Sequence, residues 1–405
     1  MVIFIQIFFL LIAGFFTFYL LSLTIVAIVK PAKIGFHSRR QRHFAVIVPA
    51  YNEEIVILKT IKNLFHIDYP TELFDVIVIA DNCTDRTAEI ALSMGAVVWE
   101  RNDRELRGKG YALKWAFEKI EADNTAYEAV VIIDADTTVS KNILNVMNNY
   151  IHAGAEAIQC SDLVEHKNGS WTSEIIGVSF QLNNYVKLLG RRNIGCTAGL
   201  RGNGMCFTTD LLERIPWQAF SQTEDLEYGL ILLLNGIPVM FAPEAVVSAI
   251  MPADPHNAET QRARWEVGRL PLMKKYFLLL FIEAVRKRSF MIFEAFLDLI
   301  TPAFVNIFVF TGLVIVINLL LMLFSIPESS TFFPFWLMLL ALQVFYVIAG
   351  LYISKADKKT YIALLNVPKY ILWKILLYFK LVRRGHNKMW VRTVREDSLN
   401  VTIKK

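Results

Sequence analysis

Three features of the chain point to an α/β architecture: a mixed, mainly parallel sheet with helices on both faces, joined to about three transmembrane helices and to interfacial amphipathic helices. Short apolar strands alternate with amphipathic helices from Phe44 onward, the pattern of βαβ units. One strand, Val130-Val131-Ile132-Ile133, has the uninterrupted β-branched run of a strand buried on both faces and leads straight into Asp134-Ala135-Asp136. Hydrophobic residues make up 55% of the 405 and charged residues only 20%, which is too apolar for a wholly soluble chain.

The elements follow in order. Residues 2 to 29 carry no charge and match the length of a bilayer core, and Lys30, Lys33, Arg39, Arg40 and Arg42 come after them. Basic residues behind the run argue for an anchor at 1–29 rather than a cleavable leader, and bring the chain into the cytoplasm at Lys30. In the domain expected at 30–256, strands fall at Phe44–Val48, Asp75–Ala80, Ala96–Trp99 and Val130–Ile133. Helices fall at about Asn52–Phe65, Thr84–Met94, Lys109–Ile120 and Ser140–His152, with Thr84 and Ser140 as N-caps and Gly95 as a stop.

Residues 257–295 mix Arg262, Arg269, Lys274 and Lys275 with Trp265, Leu270, Tyr276 and Phe277, the composition of a helix at a membrane interface. Apolar stretches at 296–324, carrying Asp298 and Pro302, and at 332–353 read as second and third spans. The linker Ser325–Thr331 lacks Lys and Arg, while Lys355, Lys358 and Lys359 follow the third span. The linker is therefore expected outside and the segment 354–405, a further interfacial helix with a basic tail, inside a bacterial-type inner membrane.

Composition narrows the function. The net charge of +5 is mild and gathers beside the apolar runs, which suits an anionic membrane surface and not a nucleic acid. Cys83, Cys160, Cys196 and Cys206 form no C-x-x-C pair and the seven histidines no metal-ligand spacing, so neither a disulfide framework nor a zinc site is expected.

Chemistry concentrates at strand ends. In extended chain Asp134 and Asp136 point the same way and can share one divalent cation, leaving coordination sites for phosphate oxygens. A lone Asp at a strand end ordinarily starts a turn, but two so spaced are harder to dismiss. Val48-Pro49-Ala50-Tyr51-Asn52-Glu53-Glu54 and Ala80-Asp81-Asn82-Cys83-Thr84-Asp85 close two further strands, and Gly108-Lys109-Gly110 opens a helix whose N–H groups and lysine can hold a diphosphate. Singly these are capping turns and a surface lysine; together they place nucleotide-compatible groups on one sheet edge. Thr223-Glu224-Asp225 caps another helix, and an acid there can take a proton from a sugar hydroxyl. In Gln261-Arg262-Ala263-Arg264-Trp265, arginine forks fit phosphate and the indole offers a sugar a flat face; for Arg262 and Lys274 a membrane-surface role is preferred.

These motifs, in this order, resemble the family-2 glycosyltransferases with a GT-A fold, and more closely the membrane-embedded branch that includes cellulose, chitin and hyaluronan synthases. The resemblance covers Phe44 to Arg269. It implies a nucleotide-sugar site built from Pro49, Tyr51, Glu53, Asp81 at the base, Lys109 at the diphosphate, Asp134 at the ribose or metal, and Gln261 and Arg264 at the pyrophosphate. Asp136, with Asp134, would bind Mg²⁺ or Mn²⁺; Asp225 would be the general base with Glu224 beside it; Trp265, Gly202 and Asn203 would face the acceptor. The implied reaction is inverting transfer from a nucleotide sugar, with a UDP-sugar preferred, to a growing polysaccharide, or alternatively to a membrane lipid. About three spans can hardly enclose a polysaccharide channel alone, which calls for a homo-oligomer, an export partner or a lipid acceptor. Two rivals stand beside this reading. In a haloacid dehalogenase-type phosphatase Asp134 would be the nucleophile and Asp136 the acid/base, but the Gly-Asp pair expected downstream is missing at Thr223-Glu224-Asp225. A non-catalytic scaffold would have no use for Asp136, Asp225 and Arg264 together.

Overall fold

The computed structural model describes residues 2–29, 40–122, 127–165, 171–249, 255–324 and 326–374, and for 255–267 the course of the backbone alone. Helix α1 (Val2–Ala27) precedes β1 (Phe44–Ala50), α2 (Ile57–Leu64), β2 (Phe74–Asp81), α3 (Thr87–Ser93), β3 (Val97–Arg101) and α4 (Lys109–Ala122). Then come β4 (Ala129–Ile132), β5 (Thr137–Val139), α5 (Ile143–His152), β6 (Ala157–Val164), α6 (Trp171–Phe180), a π-helical stretch (Gln181–Val186) and α7 (Lys187–Asn193). The domain closes with β7 (Met205–Thr208), α8 (Thr209–Arg214), α9 (Glu224–Leu234) and β8 (Val239–Ala249). Five helices follow: α10 (Pro255–Arg286), α11 (Phe290–Ile300), α12 (Phe304–Leu323), α13 (Pro327–Ile353) and α14 (Lys358–Ala363).

The strands form one sheet in the order β3-β2-β1-β4-β7-β6-β8-β5. The first four pair in parallel, β7 runs antiparallel to both β4 and β6, β6 and β8 are parallel, and β5 closes the far edge antiparallel to β8. Alternation along β1 sorts its side chains to two cores. Phe44, Val46 and Val48 pack with Ile57 and Ile61 of α2 and Met147 of α5, while Ala45 and Ile47 pack with Leu113 of α4 and Tyr228 and Leu232 of α9. Helices thus cover both faces.

Four strands, β5 to β8, were not legible as strands. β5 and β7 are three and four residues long, β6 buries Gln159, Ser161 and Asp162 among its apolar residues, and β8 carries Pro243 and Glu244 where its register against β6 shifts. Each departs from the alternating or all-apolar pattern by which strands are recognised.

Among the described residues three helices are long and apolar enough to cross a membrane: Ile3–Ala27, Phe304–Leu323 and Pro327–Ile353. The second therefore starts at Phe304 and not at Phe296. Pro302 cannot continue a helix, so α11 ends at Ile300 and forms a separate element that keeps Asp298 out of the span. Polar side chains tie the three helices together: Gln6 Nε2 donates to Asn318 Oδ1 and its Oε1 accepts from Trp336, while Gln343 Nε2 donates to Thr17 and Thr311. The sheet domain docks on α1 through α7. A Cβ at Gly190 would lie 2.2 Å from the Leu23 carbonyl oxygen, so only glycine allows this approach, and Asn193 Nδ2 donates to the carbonyls of Val26 and Val29.

Candidate active site

The parallel strands end on one edge, and the loops there are laced together. Asn52 and Asn82, just past β1 and β2, both adopt left-handed backbone conformations (φ 56° and 55°), a geometry asparagine tolerates better than most residues. Asn52 Oδ1 accepts from the Thr84 N–H at 2.7 Å, Glu53 N–H donates to Thr87 Oγ1 at 2.8 Å, and Glu54 Oε2 accepts from the Arg86 N–H. Thr84 is thus a loop bridge and not the N-cap expected; α3 starts three residues later. Ser140 is likewise no cap, its hydroxyl accepting from the Val246 N–H instead. Pro49 lies in β1 opposite Ile79, and Tyr51 follows half-buried. Asp81, the last residue of β2, is held by Arg101 Nη1 at 2.7 Å and by Asn82 Nδ2. Burial pushes its carboxyl up while Arg101 pulls it back.

Asp134 and Asp136 are not in extended chain as expected. β4 stops at Ile132, and the Thr137 N–H bonds back to the Asp134 carbonyl, so both acids sit in a turn between β4 and β5. Lys109, the first residue of α4, reaches across: its Nζ donates at 2.5 Å to Asp134 Oδ1 and at 2.5 Å to the Gly202 carbonyl. Asn203 Oδ1 accepts from the Asp134 N–H, and Asn203 Nδ2 donates to Thr137 Oγ1. Gly202 also abuts the acid pair of α9. Its φ is +82°, and a Cβ there would lie 3.2 Å from Asp225 Oδ2. The loop Arg201-Gly202-Asn203 therefore joins Lys109 and Asp134 on one side to Asp225 on the other. Gly202→Ala should cost about 1–2 kcal/mol through the left-handed backbone and also displace the Asp225 carboxylate. The expected outcome is a modest drop in thermal midpoint with a much larger loss of transfer activity; an equal loss of both would contradict it.

Thr223 precedes α9, but its hydroxyl donates to the Gly268 carbonyl on α10 and makes no capping bond. Glu224 and Asp225 are half-buried neighbours that titrate together. Burial, then repulsion by Asp225, pushes Glu224 up to about 7, with Lys109 opposing and Asp134 adding to the rise; burial likewise raises Asp225, against the Leu226 N–H, Lys109 and Arg201. The folded state thus binds a proton that the unfolded chain has released, so stability should fall as pH rises from about 4.5 to about 7. Glu224→Gln should flatten that slope in thermal midpoints measured across the window; a wild-type midpoint that does not fall there would contradict the coupling.

One buried acid beside the site was not legible. Asp162, on β6, lies buried behind the turn, and burial followed by repulsion from Asp134 and Asp136 pushes its carboxyl well up. The one available signal was an acid inside an otherwise apolar strand. Asp134 and Asp136 offer the hard oxygen donors that Mg²⁺ and Mn²⁺ take. No group of three or more His, Cys, Asp or Glu set to hold an ion occurs among the described residues; an ion on these two carboxylates would take its remaining ligands from phosphate oxygens or water. The four cysteines are free. The side chains of Gln261, Arg264 and Trp265, on α10, lie outside the described residues, as does the tail beyond Lys374.

Sheet order, strand-edge carboxylates and helices on both faces define the class, the GT-A glycosyltransferases. The chain belongs to the family described as glycosyltransferase like family 2, whose model matches residues 41–268. It is 26% identical over 264 residues to the probable glycosyltransferase YdaM of Bacillus subtilis, covering 62% of this chain and 60% of that one. It is 28% identical over 239 residues to the beta-monoglucosyldiacylglycerol synthase of a Nostoc species, covering 55% of this chain and 48% of that one. The chain thus spans only part of the length of these relatives. Among solved structures, the mannosyltransferase PcManGT from Pyrobaculum calidifontis, in complex with GDP-Man and Mn²⁺, shares the fold with a TM-score of 0.53 at 18% identity, covering 88% of this chain and 100% of that one. The family match takes in β4 and the two acids of the turn after it, and the phosphatase alternative falls away.

Proposed function

We propose that this chain transfers a sugar, with inversion, from a nucleotide diphosphate sugar, a UDP-sugar by preference, to a hydroxyl presented at the membrane. The observation that carries the reading is the shared loop: Lys109 bonds both Asp134 and the Gly202 carbonyl, and Gly202 abuts Asp225. A diphosphate at Lys109 and an acceptor hydroxyl at Asp225 would then lie on either side of one anomeric carbon. Asp225 takes the hydroxyl proton as the acceptor oxygen attacks, and Glu224 beside it tunes its basicity. Lys109 stabilises the charge that grows on the leaving diphosphate. A divalent ion held by Asp134 and Asp136 supplies further electrostatic stabilisation of that charge when bound. Gln261 and Arg264 are assigned to the same diphosphate: they stand two turns and one turn before Gly268, where α10 meets Thr223. Trp265 and Asn203 are assigned to the acceptor side, and Pro49, Tyr51, Glu53 and Asp81 to the nucleoside side.

A lipid acceptor is favoured over a growing polysaccharide. Three candidate spans among the described residues are few for a channel, and one relative is named as the synthase of a glucosylated diacylglycerol. The sheet domain is assigned to the cytoplasmic side, where nucleotide sugars are found. The test is to incubate the full chain, purified in lipid, with radiolabelled nucleotide sugars and Mn²⁺. Label in the organic extract is the expected result; label in a long polymer would establish the processive alternative, and no transfer from any donor would overturn the reading.

A further inference from the structure

Between the acid pair and the membrane helices lies a partly buried cationic cluster that the transfer reaction above does not use. Lys187 and Arg191 of α7, Arg201 and Arg269 converge on two carboxylates of α11, Glu294 and Asp298. Lys187 and Arg191 are fully engaged: Lys187 Nζ donates to Asp298 Oδ1 at 2.8 Å, and Arg191 spans Glu294 and Asp298. Tyr19 of the first span completes Glu294 with a 2.7 Å bond. Arg269 Nη2 donates only to the carbonyls of Asp298 and Leu299, at the end of α11.

Among the described residues Arg201 makes no hydrogen bond or ion pair to a carboxylate, and feels Asp298 and Asp225 only through their charge. Its Nη1 meets the carbonyl of Leu200, while Nε and Nη2 are shut off from water with no hydrogen-bond partner, and Arg269 Nε is in the same condition. Nε and Nη2 are the edge by which arginine grips a phosphate with two parallel bonds. Buried guanidinium donors without partners are costly and rare, and two arginines carrying such donors in one cluster call for an anion. Location narrows its source. Arg201 adjoins Gly202, which touches Asp225; Arg269 adjoins Gly268, which packs on Thr223; the far wall is α11 and, through Tyr19, the first span. The cluster therefore lies between the proposed base and the first candidate span.

We propose that Arg201 and Arg269 bind the phosphate of the acceptor lipid, holding it so that a neighbouring hydroxyl reaches Asp225. This rests on the reading of Asp225 as the base of glycosyl transfer. Arg201→Gln should then weaken phosphate-lipid binding about tenfold to a hundredfold, the usual effect of losing a charged hydrogen bond. Arg201→Lys keeps the charge without the fork and should fall between.

The test uses the full chain in a phosphate-free maltoside detergent, with the thermal midpoint as readout. Short-chain phosphatidylglycerol should raise the midpoint and dihexanoylglycerol should not; Arg201→Gln should respond only at about tenfold to hundredfold higher lipid concentration. An equal response to the neutral lipid, or an undiminished response in Arg201→Gln, would overturn the proposal. So would a response to inorganic phosphate that phosphatidylglycerol does not exceed, since the site would then take free phosphate. UDP with Mn²⁺, run in parallel, separates the two readings. A wild type that responds to UDP and Mn²⁺ but not to phosphatidylglycerol sinks this inference alone. One that responds to phosphatidylglycerol but not to UDP sinks the donor site and leaves the anion site standing. A UDP response retained in Arg201→Gln shows that the variant is folded, and its weakened lipid response then supports the proposal.

Discussion

Asp225→Asn should lower the rate of sugar transfer by about 10²–10⁴-fold, the range that a positioned general base contributes. The substitution keeps the shape of the side chain and its place against Gly202, but the amide cannot accept the acceptor proton. Nucleotide affinity should be little changed, because Lys109 and Asp134 meet the diphosphate from the other side of the loop. The acid pair supplies an independent readout. With Asp225 neutral, Glu224 loses the repulsion that helps raise it to about 7, so the decline of stability between pH 4.5 and 7 should weaken. Transfer within a few fold of wild type would remove Asp225 from the chemistry.

Asp136→Asn should reduce transfer by about 10²–10³-fold, the scale on which losing one preorganised stabiliser of developing charge is felt. Its signature differs from that of Asp225→Asn. The Asp136 variant should need far more Mn²⁺ to reach its own maximal rate, and UDP affinity should cease to depend on the ion. Removing divalent ions from the wild type with a chelator should reproduce the defect, and restoring Mn²⁺ or Mg²⁺ should reverse it in the wild type only. Chelator-resistant transfer in the wild type would contradict the assignment of Asp134 and Asp136 to a metal.

The parts of the molecule legible in the sequence are those where one physical signal dominates. β1, β2 and β4 are buried on both faces and contain almost nothing but apolar residues, and the three long apolar helices leave little alternative. The second half of the sheet was hidden because its strands do other work as well. β6 buries Gln159, whose amide holds the Arg201 N–H and the Asn203 carbonyl, and Asp162 behind the carboxylate turn; such polar positions break the apolar run. At the site, residue types at strand ends were readable, but their geometry was not. Nothing local states that Asp134 and Asp136 lie in a turn, that Lys109 bonds the Gly202 carbonyl, or that Thr223 turns its hydroxyl to Gly268 rather than capping its helix. The last two contacts span 93 and 45 residues of chain and depend on how α4, α9 and α10 meet. Asp298 shows the same limit from the other direction. Within an apolar stretch it reads as a charge in a membrane span, and only the break at Thr301-Pro302 and its pairing with Lys187 and Arg191 reveal a buried ion cluster.

The account stands or falls on Lys109, Asp134, Asp136 and Asp225 serving one ligand across the Gly202 loop. The most direct measurement is a structure of the chain with a UDP-sugar analogue and Mn²⁺, the ion located by its anomalous scattering. The account predicts manganese held by Asp136 and Asp134, Lys109 on the diphosphate, and the anomeric carbon turned toward Asp225. Manganese bound elsewhere, or a sugar lying on the face of the loop away from Asp225, would contradict it.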